Sequence, residues 1–422
     1  MDEEFLQYIW KCKLFDSTML TDENGEKIEI LQVGEQNHDA GPDFFNVRIK
    51  TGQTVWAGNA EIHVNSSDWA KHGHHTNKAY DNVILHAVYN DDAPTYRTNG
   101  EKVATVKLKF NPLLIENYQR LLKSDRWASC QNNIQQIDHF TIKSWILSLA
   151  IERLEEKTQS IQKSLADNHN NWTESFYHSL ARTFGANLNA DAFEHLVRIL
   201  PFKYLAQHKD NLFQVEALLF GQAGLFDDIL FGDEYYQALK KEYVFLQKKF
   251  GLKPMELHLW KFLRLRPINF PTIRLAQFAA LVHQSAGLFS KILYAEDLKE
   301  AKNYFRVKTS EYWDTHYVFN KTSTYKKKFL GEGTMTNIVI NTLVPFLFVY
   351  GKNKGDENFK NKAIEYLEQL KPEKNSIIDH WAKIGISARN AYETQALIQL
   401  KNKYCNFKRC LDCQIGNKII RL

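Results

Sequence analysis

The chain has 422 residues, 44% hydrophobic, 24% charged and 13% aromatic, with only 19 glycines and 9 prolines. That length exceeds one ordinary core and implies two or three domains, and the composition excludes disordered and collagen-like classes. A net charge of +5 is too small by itself to demand a polyanionic partner.

The first residues lack a basic stretch followed by an apolar run, so no secretory signal is expected. "DEEFLQYIWKCKLF" reads as a short amphipathic helix with Phe5, Ile9 and Cys12 on one face. "EKIEILQVG", "FFNVRIK", "TVWAGNAEIHV" and "NVILHAVYN" read as strands, and "KVATVKLKF" is expected to add another. "NSSDWAKHGHHTNKAYDN" lies between the last two of those four and opens with Ser and Asp in N-cap position, which predicts a helix. The order is helix, three strands, helix, strand.

From about Pro112 the apolar spacing becomes helical, and typical helix lengths predict roughly ten helices. The expected organisation is an α/β domain over residues 1–111, an all-α domain over 112–400 and a cysteine-bearing tail over 401–422. The longest apolar run, "NIVINTLVPFLFVYG", is read as too short for a membrane span and contains Asn341 and Pro345. A soluble cytoplasmic protein is expected.

Candidate chemistry concentrates in the first domain. Strand alternation puts Ala60, Ile62 and Val64 on one face and Glu61 with His63 on the other. Whether Asp43 joins them depends on the turn in "KTGQTV". A two-residue loop at Gly52-Gln53 sets Asp43 opposite Ile62, on the wrong face. A three-residue loop, or one bulge, sets it opposite Glu61. In that register two carboxylates and an imidazole converge and can share a divalent cation. The competing expectation is a turn-capping Asp43, with Glu61 and His63 on a solvated strand face. Local density favours the metal, since Glu35, His38, Asp39, Asp68, His72, His74, His75 and His86 fall in the same small unit. Of these, His72, His74 and Glu35 are expected to contact substrate or phosphate. His86, in an apolar strand, is expected to be a hydrogen-bonded core histidine.

Pro42-Asp43 followed by Glu61-Ile62-His63 after a hairpin, in this order of elements, resembles the PD-(D/E)XK nuclease superfamily. The resemblance implies a restriction-endonuclease-like sheet, with Asp43 and Glu61 holding Mg²⁺ or Mn²⁺ and the Ile62 carbonyl as a further ligand. His63 stands where that superfamily has lysine. It titrates near neutrality and can itself bind metal, which leaves room for manganese or zinc.

"YCNFKRCLDCQIG" spaces Cys405, Cys410 and Cys413 for zinc or an iron–sulfur cluster, with Lys408 and Arg409 beside them to favour thiolates. Cys130 is the expected fourth ligand, because Cys12 fits an apolar helix stripe. Some PD-(D/E)XK nucleases carry a similar split cluster, although their distant cysteine precedes the acids. In the helical region Arg264, Arg266 and Arg274 around Asn269-Phe270-Pro271, with Lys326, Lys327 and Lys328, are candidate phosphate contacts. Their alternative role is in structural salt bridges.

"AGPDFFN", "AEIHVNSSDWAKHGHH", "YDNVILHAVY" and the C-x4-C-x2-C-x-I-G ending together are similar to a bacterial family of unknown function, across Leu31 to Gly416. That likeness implies an architecture and no activity. The expected function is metal-dependent cleavage of DNA or RNA by Asp43, Glu61 and His63. The alternatives are a non-catalytic binding module and a zinc hydrolase built on the histidines.

Overall fold

The computed structural model describes every residue except 22–24, 227–231 and 286. Packing divides the chain into two units, Met1–Trp145 with Leu400–Leu422, and Ile146–Gln399.

The first unit opens with α1 (Glu3–Lys11), whose N-terminus is capped by the Asp2 carboxylate. Phe5, Leu6, Ile9 and Trp10 are buried, as the apolar spacing requires. The strands are β1 (Ile28–Gln32), β2 (Glu35–Gln36), β3 (Phe44–Thr51), β4 (Thr54–Asn65), β5 (Val83–Asn90) and β6 (Thr105–Lys107). They form one mixed sheet in the order β1-β3-β4-β5-β6, with β2 also paired to β3, and the sheet curls as a half-barrel. Pairs β1–β3 and β3–β4 are antiparallel, while β4–β5 and β5–β6 are parallel. The short strand β2 was absent from the sequence expectation.

β4 is the central strand, and its second half is buried between β3 and β5, with α1 packed against it. Burial on both faces is what a parallel-paired central strand imposes. Glu61 and His63 are therefore 5% and 1% exposed, which overturns the expectation of a solvated face. The predicted helix after β4 is a single turn, α2 (Asp68–Lys71). Gly73 takes a left-handed conformation and ends it, and two short 3-10 turns follow before β5.

Helix α3 (Pro112–Lys123) and the C-terminal helix Gln414–Ile420 pack together in this unit. The Asn117 side-chain amide donates to the Ile420 carbonyl at 3.2 Å.

The second unit is helical and includes residues of α4 (His139–Asp167) from Ile146 onward. Its helices are shorter and more numerous than the ten expected. Asn171, Asn211, Asp233, Asp297, Asp356 and Asn375 each cap a new start through a side-chain acceptor. A small hairpin, His316–Val318 with Lys321–Thr322, also lies here. The apolar run belongs to a continuous helix, Glu332–Lys354, long and apolar enough to cross a membrane, with 67% of its most apolar window buried within the protein. Pro345 does not break it. Residues Val339–Leu343 widen into a π turn just before the proline, where the ring would otherwise oppose the i−4 carbonyl.

Candidate metal centre

The turn between β3 and β4 is the two-residue loop Gly52-Gln53, since Thr51 pairs with Thr54. Taken alone, that register faces Asp43 the wrong way. Between Phe44 and Val47, however, the register slips by one, so that Val47 faces Gly58 but Phe44 faces Ala60. Asn46 supplies the bulge with a φ of 58°. Asp43 now lies opposite Glu61. Its backbone N–H donates to Glu61 Oε2 at 3.0 Å, and Ile62 N–H donates to Asp43 Oδ2 at 2.9 Å. The side chain of Gln7, on α1, donates to Asp43 Oδ1 at 2.8 Å.

The histidines gather on the other oxygen of Glu61. His74 Nε2 lies 3.2 Å from Glu61 Oε1, and His63 Nε2 lies 3.5 Å from it. His72 Nδ1 is 3.1 Å from His63 Nε2. One ring nitrogen from each of His63, His72 and His74 falls within 4.8 Å of the others. Tetrahedral zinc with bonds of about 2.0–2.1 Å would place donors ~3.3 Å apart, close to the three separations above. The left-handed Gly73 makes this convergence possible, because it reverses the chain between His72 and His74. Tyr80 stacks on His74 at 3.8 Å between ring centres.

His63 Nδ1 is hydrogen-bonded to His86 Nε2 at 2.9 Å. His86 is fully buried beside Trp69, so its expected role as a bonded core histidine holds. When His63 Nδ1 donates to His86, its Nε2 lone pair is directed at the cluster, and His86 plays the part of the acceptor that orients a metal-bound imidazole.

The electrostatics describe a site that wants a cation. Burial, then the charge of Glu61, pushes the Asp43 carboxyl up to about 7, against hydrogen bonds from Ile62 and Gln7. Burial pushes Glu61 up to about 8, opposed by the Asp43 N–H. Among the described residues, neither carboxylate is paired with a lysine or arginine. Burial and the neighbouring imidazoles push His63 down to about 2, and burial first, then His74, pushes His86 down to about 3. Neutral imidazoles and acids that resist ionisation alone are the donor set that a divalent ion would complete.

Two contributors escaped the sequence reading. Glu3, half-buried in the first turn of α1, acts electrostatically on Asp43, Glu61 and His72. Gln7 positions Asp43. Their i, i+4 spacing puts them on one helix face, which was the available signal. Glu35 is exposed on β2 opposite Phe45.

In the second unit Arg264, Arg266, Lys326 and Lys327 are exposed. Lys328 is fully buried, its ammonium donating to the Trp313 carbonyl and lying 4.2 Å from the centre of the Tyr317 ring. Arg274 is half-buried and bonds Asn269 and Gln277.

The first unit also brings Cys130 to the tail cysteines. The thiols of Cys130, Cys405, Cys410 and Cys413 are free and act electrostatically on one another. Burial, then the neighbouring sulfurs, pushes Cys130 and Cys410 up to about 12, so Lys408 does not offset the desolvation. The Lys408 ammonium is instead engaged by the Leu122 carbonyl at 2.6 Å, and Arg409 pairs with Asp412 at 3.0 Å. The N–H groups of Ile415 and Gly416 turn toward Cys413. Any side chain at position 416 would place its Cβ 2.2 Å from the Cys410 carbonyl oxygen, so this knuckle requires glycine. Cys12 lies apart, beside Tyr8 and Arg421.

Fold and site together define a mixed-sheet protein with a buried acid–histidine cluster on its central strand and a helical region following. The chain belongs to the family described as "Protein of unknown function (DUF2851)", whose model matches residues 3–376. That span takes in Glu3, Asp43, Glu61 and the histidines and ends before Cys405. No curated protein and no solved structure matches the chain.

Proposed function

We propose that this protein is a metal-dependent phosphodiesterase acting on nucleic acid, with Asp43, Glu61 and the facing histidines holding the ion. The observation that carries the reading is the convergence of two largely buried carboxylates with buried His63 and His74 and exposed His72, with no lysine or arginine paired to the carboxylates among the described residues. Imidazole ligands suit Mn²⁺ or Zn²⁺ better than Mg²⁺. A divalent ion in the site would lower the pKa of a bound water and offset charge developing on the phosphate. His63, in the usual lysine position, is neutral and able to ligate or to accept a proton. His72 is the exposed member of the cluster and the one best placed to meet substrate.

The depth of Glu61 and His63 favours a second reading, a structural ion in a non-catalytic binding module. Calorimetric titration of metal-free protein with Mn²⁺ and Zn²⁺, followed by assays on a chromogenic phosphodiester and on single- and double-stranded DNA and RNA, separates the two. Binding and cleavage, both lost in Asp43→Asn and Glu61→Gln, support the enzyme. Binding without cleavage under every metal supports the module. No binding at all ends both.

For the cysteines we propose a structural zinc ion or iron–sulfur cluster. Its support is the gathering of four buried or half-buried thiols that resist ionisation in the absence of a cation. Free thiols in this number fit a reducing cytoplasm. Metal analysis and visible absorbance of protein purified without oxygen distinguish zinc from iron.

A further inference from the structure

The second unit contains a polar cleft that shares no residue with the metal centre of the first unit. It comprises a cavity of about 860 Å³ and a neighbouring one of about 450 Å³, sharing a wall at Asn337 and Asn341. Arg153 and Arg274 line the larger and Lys157 the smaller. The volumes suit a small-molecule site.

The partners of these three cations are unusual. Arg153 donates to the side-chain oxygens of Gln395 at 2.6 Å and Gln399 at 3.3 Å. Lys157 donates to Gln395 Oε1 at 3.1 Å, Asn341 Oδ1 at 3.0 Å and the Ile340 carbonyl at 3.4 Å. Arg274 donates to Asn269 Oδ1 at 2.7 Å and Gln277 Oε1 at 3.1 Å. Every acceptor is a neutral amide oxygen. The cleft's own carboxylate, Glu373, acts on Arg153 and Lys157 at a distance, while its Oε2 is taken by Thr394 and Gln395. Glu156, on the same helix as Arg153, also acts on that guanidinium. Glu332 at the cleft is paired with Lys302, and Arg182 is satisfied by Asp191 and Glu194.

Cations withdrawn from water are costly unless an opposite charge compensates them. Burial accordingly pushes Lys157 down to about 7 and Arg274 down to about 10. Glu373 and Glu156 offset part of this cost from a distance, but no carboxylate bonds any of the three cations directly, which leaves room for an anionic ligand. The π turn at Val339–Leu343 is part of the same device. It is adjacent to Pro345, and the Ile340 carbonyl and the Asn341 side chain there are the groups that hold Lys157. π turns are frequent at functional sites.

We propose that this cleft binds a phosphoryl group, with Arg153 and Arg274, which line the larger cavity, and Lys157, which shares the Gln395 oxygen with Arg153, as its ligands. Two guanidinium forks and an ammonium match the oxygens of a phosphate dianion in charge and hydrogen-bonding capacity. The proposal is independent of the metal centre in the first unit.

Full-length protein is titrated calorimetrically with inorganic phosphate, a mononucleotide and a single-stranded oligonucleotide. Buffers contain chelator, so that bound metal contributes nothing, and chloride at matched ionic strength serves as control. Saturable binding of at least one probe is expected, weakened roughly ten- to hundredfold in each of Arg153→Gln, Lys157→Gln and Arg274→Gln. The three cleft variants are expected to melt no lower than the parent without ligand, because each removes an uncompensated charge. The strongest of the three probes identifies whether the phosphoryl group belongs to a free ion, a nucleotide or a polynucleotide. An equal response to chloride, absence of binding by all three probes to the parent protein, or binding unaltered in all three variants overturns the proposal.

Discussion

The two units bury ionisable groups of opposite sign, and in each the direct hydrogen-bond partners are neutral or amide groups. In the first, Asp43 and Glu61 sit beneath α1 with amide N–H groups and neutral imidazoles as partners. In the second, Arg153, Lys157 and Arg274 reach only amide oxygens. Elsewhere in the helical unit Lys308 meets Asp314 at 2.8 Å, whereas buried Lys328 rests on the Trp313 carbonyl and buried Glu216 on two hydroxyls. A desolvated charge without a counter-charge is a stability cost. Such burial alone does not mark a ligand site, since Lys328 and Glu216 share it; what sets the two proposed sites apart is the convergence of metal-type donors in the first unit and the cavity beside Arg153 and Arg274 in the second.

The contrast breaks most decisively at the acids. Glu61→Gln or Asp43→Asn is expected to reduce phosphodiester cleavage by roughly a thousandfold or more while the protein still folds. Initial rates on a chromogenic diester and circular dichroism check this. Loss of the fold with loss of activity would mean that the carboxylates are structural.

The cysteines predict the next largest effect. Cys410→Ser, or prolonged chelation, is expected to lower the stability of the first unit by several kcal/mol. The second unit should remain protected. Hydrogen exchange of the two units in the same sample reads the difference directly. Equal loss in both would contradict a metal confined to the first.

A third test concerns pH. Glu216 is a buried acid of the second unit, held by Ser310 and the Tyr235 hydroxyl. Burial raises its carboxyl from an ordinary 4.5 to about 7. Because the folded-state pKa is raised, the neutral form is favoured by folding. Its contribution is complete below about 4.5 and is lost as pH rises through about 7. Glu216→Gln, which does not titrate, should flatten the stability profile of the second unit across that window. The difference between parent and variant is expected to change by on the order of 3 kcal/mol. Urea unfolding at several pH values measures it, and parallel profiles would assign the pH dependence to other groups.

The smallest effect lies at the bulge. Asn46→Val forces a β-branched residue into a left-handed conformation at a cost of about 1–2 kcal/mol. Asn46→Gly should be tolerated. If metal affinity falls in the valine variant and not in the glycine variant, the bulge is what brings Asp43 into register.

Much of the fold was legible in the chain. Alternation in "FFNVRIK" and "AEIHV" announced strands, and helical spacing after Pro112 announced the second region. The nearness of Asp43 and Glu61 was legible only as a conditional, because strand register depends on a loop and a bulge that no periodicity encodes. Asn46 could have suggested the bulge, since asparagine tolerates positive φ, but many asparagines never adopt it. The gathering of His72 and His74 about His63 was underestimated, because a predicted helix would have splayed them. Gly73 was the contrary signal. Arg153 and Lys157 carry no motif, and Glu3 and Gln7 offered only their shared helix face as a signal.

Composition and periodicity, which are local properties, were enough to determine a mixed sheet followed by helices and a cysteine-rich ending. Which charges lost their water, and what remained to satisfy them, was decided by tertiary packing alone. Desolvation depends on everything that surrounds a group. Lys157 and Gln395 are far apart in the chain, as are Cys130 and Cys413, and only the folded structure makes them neighbours.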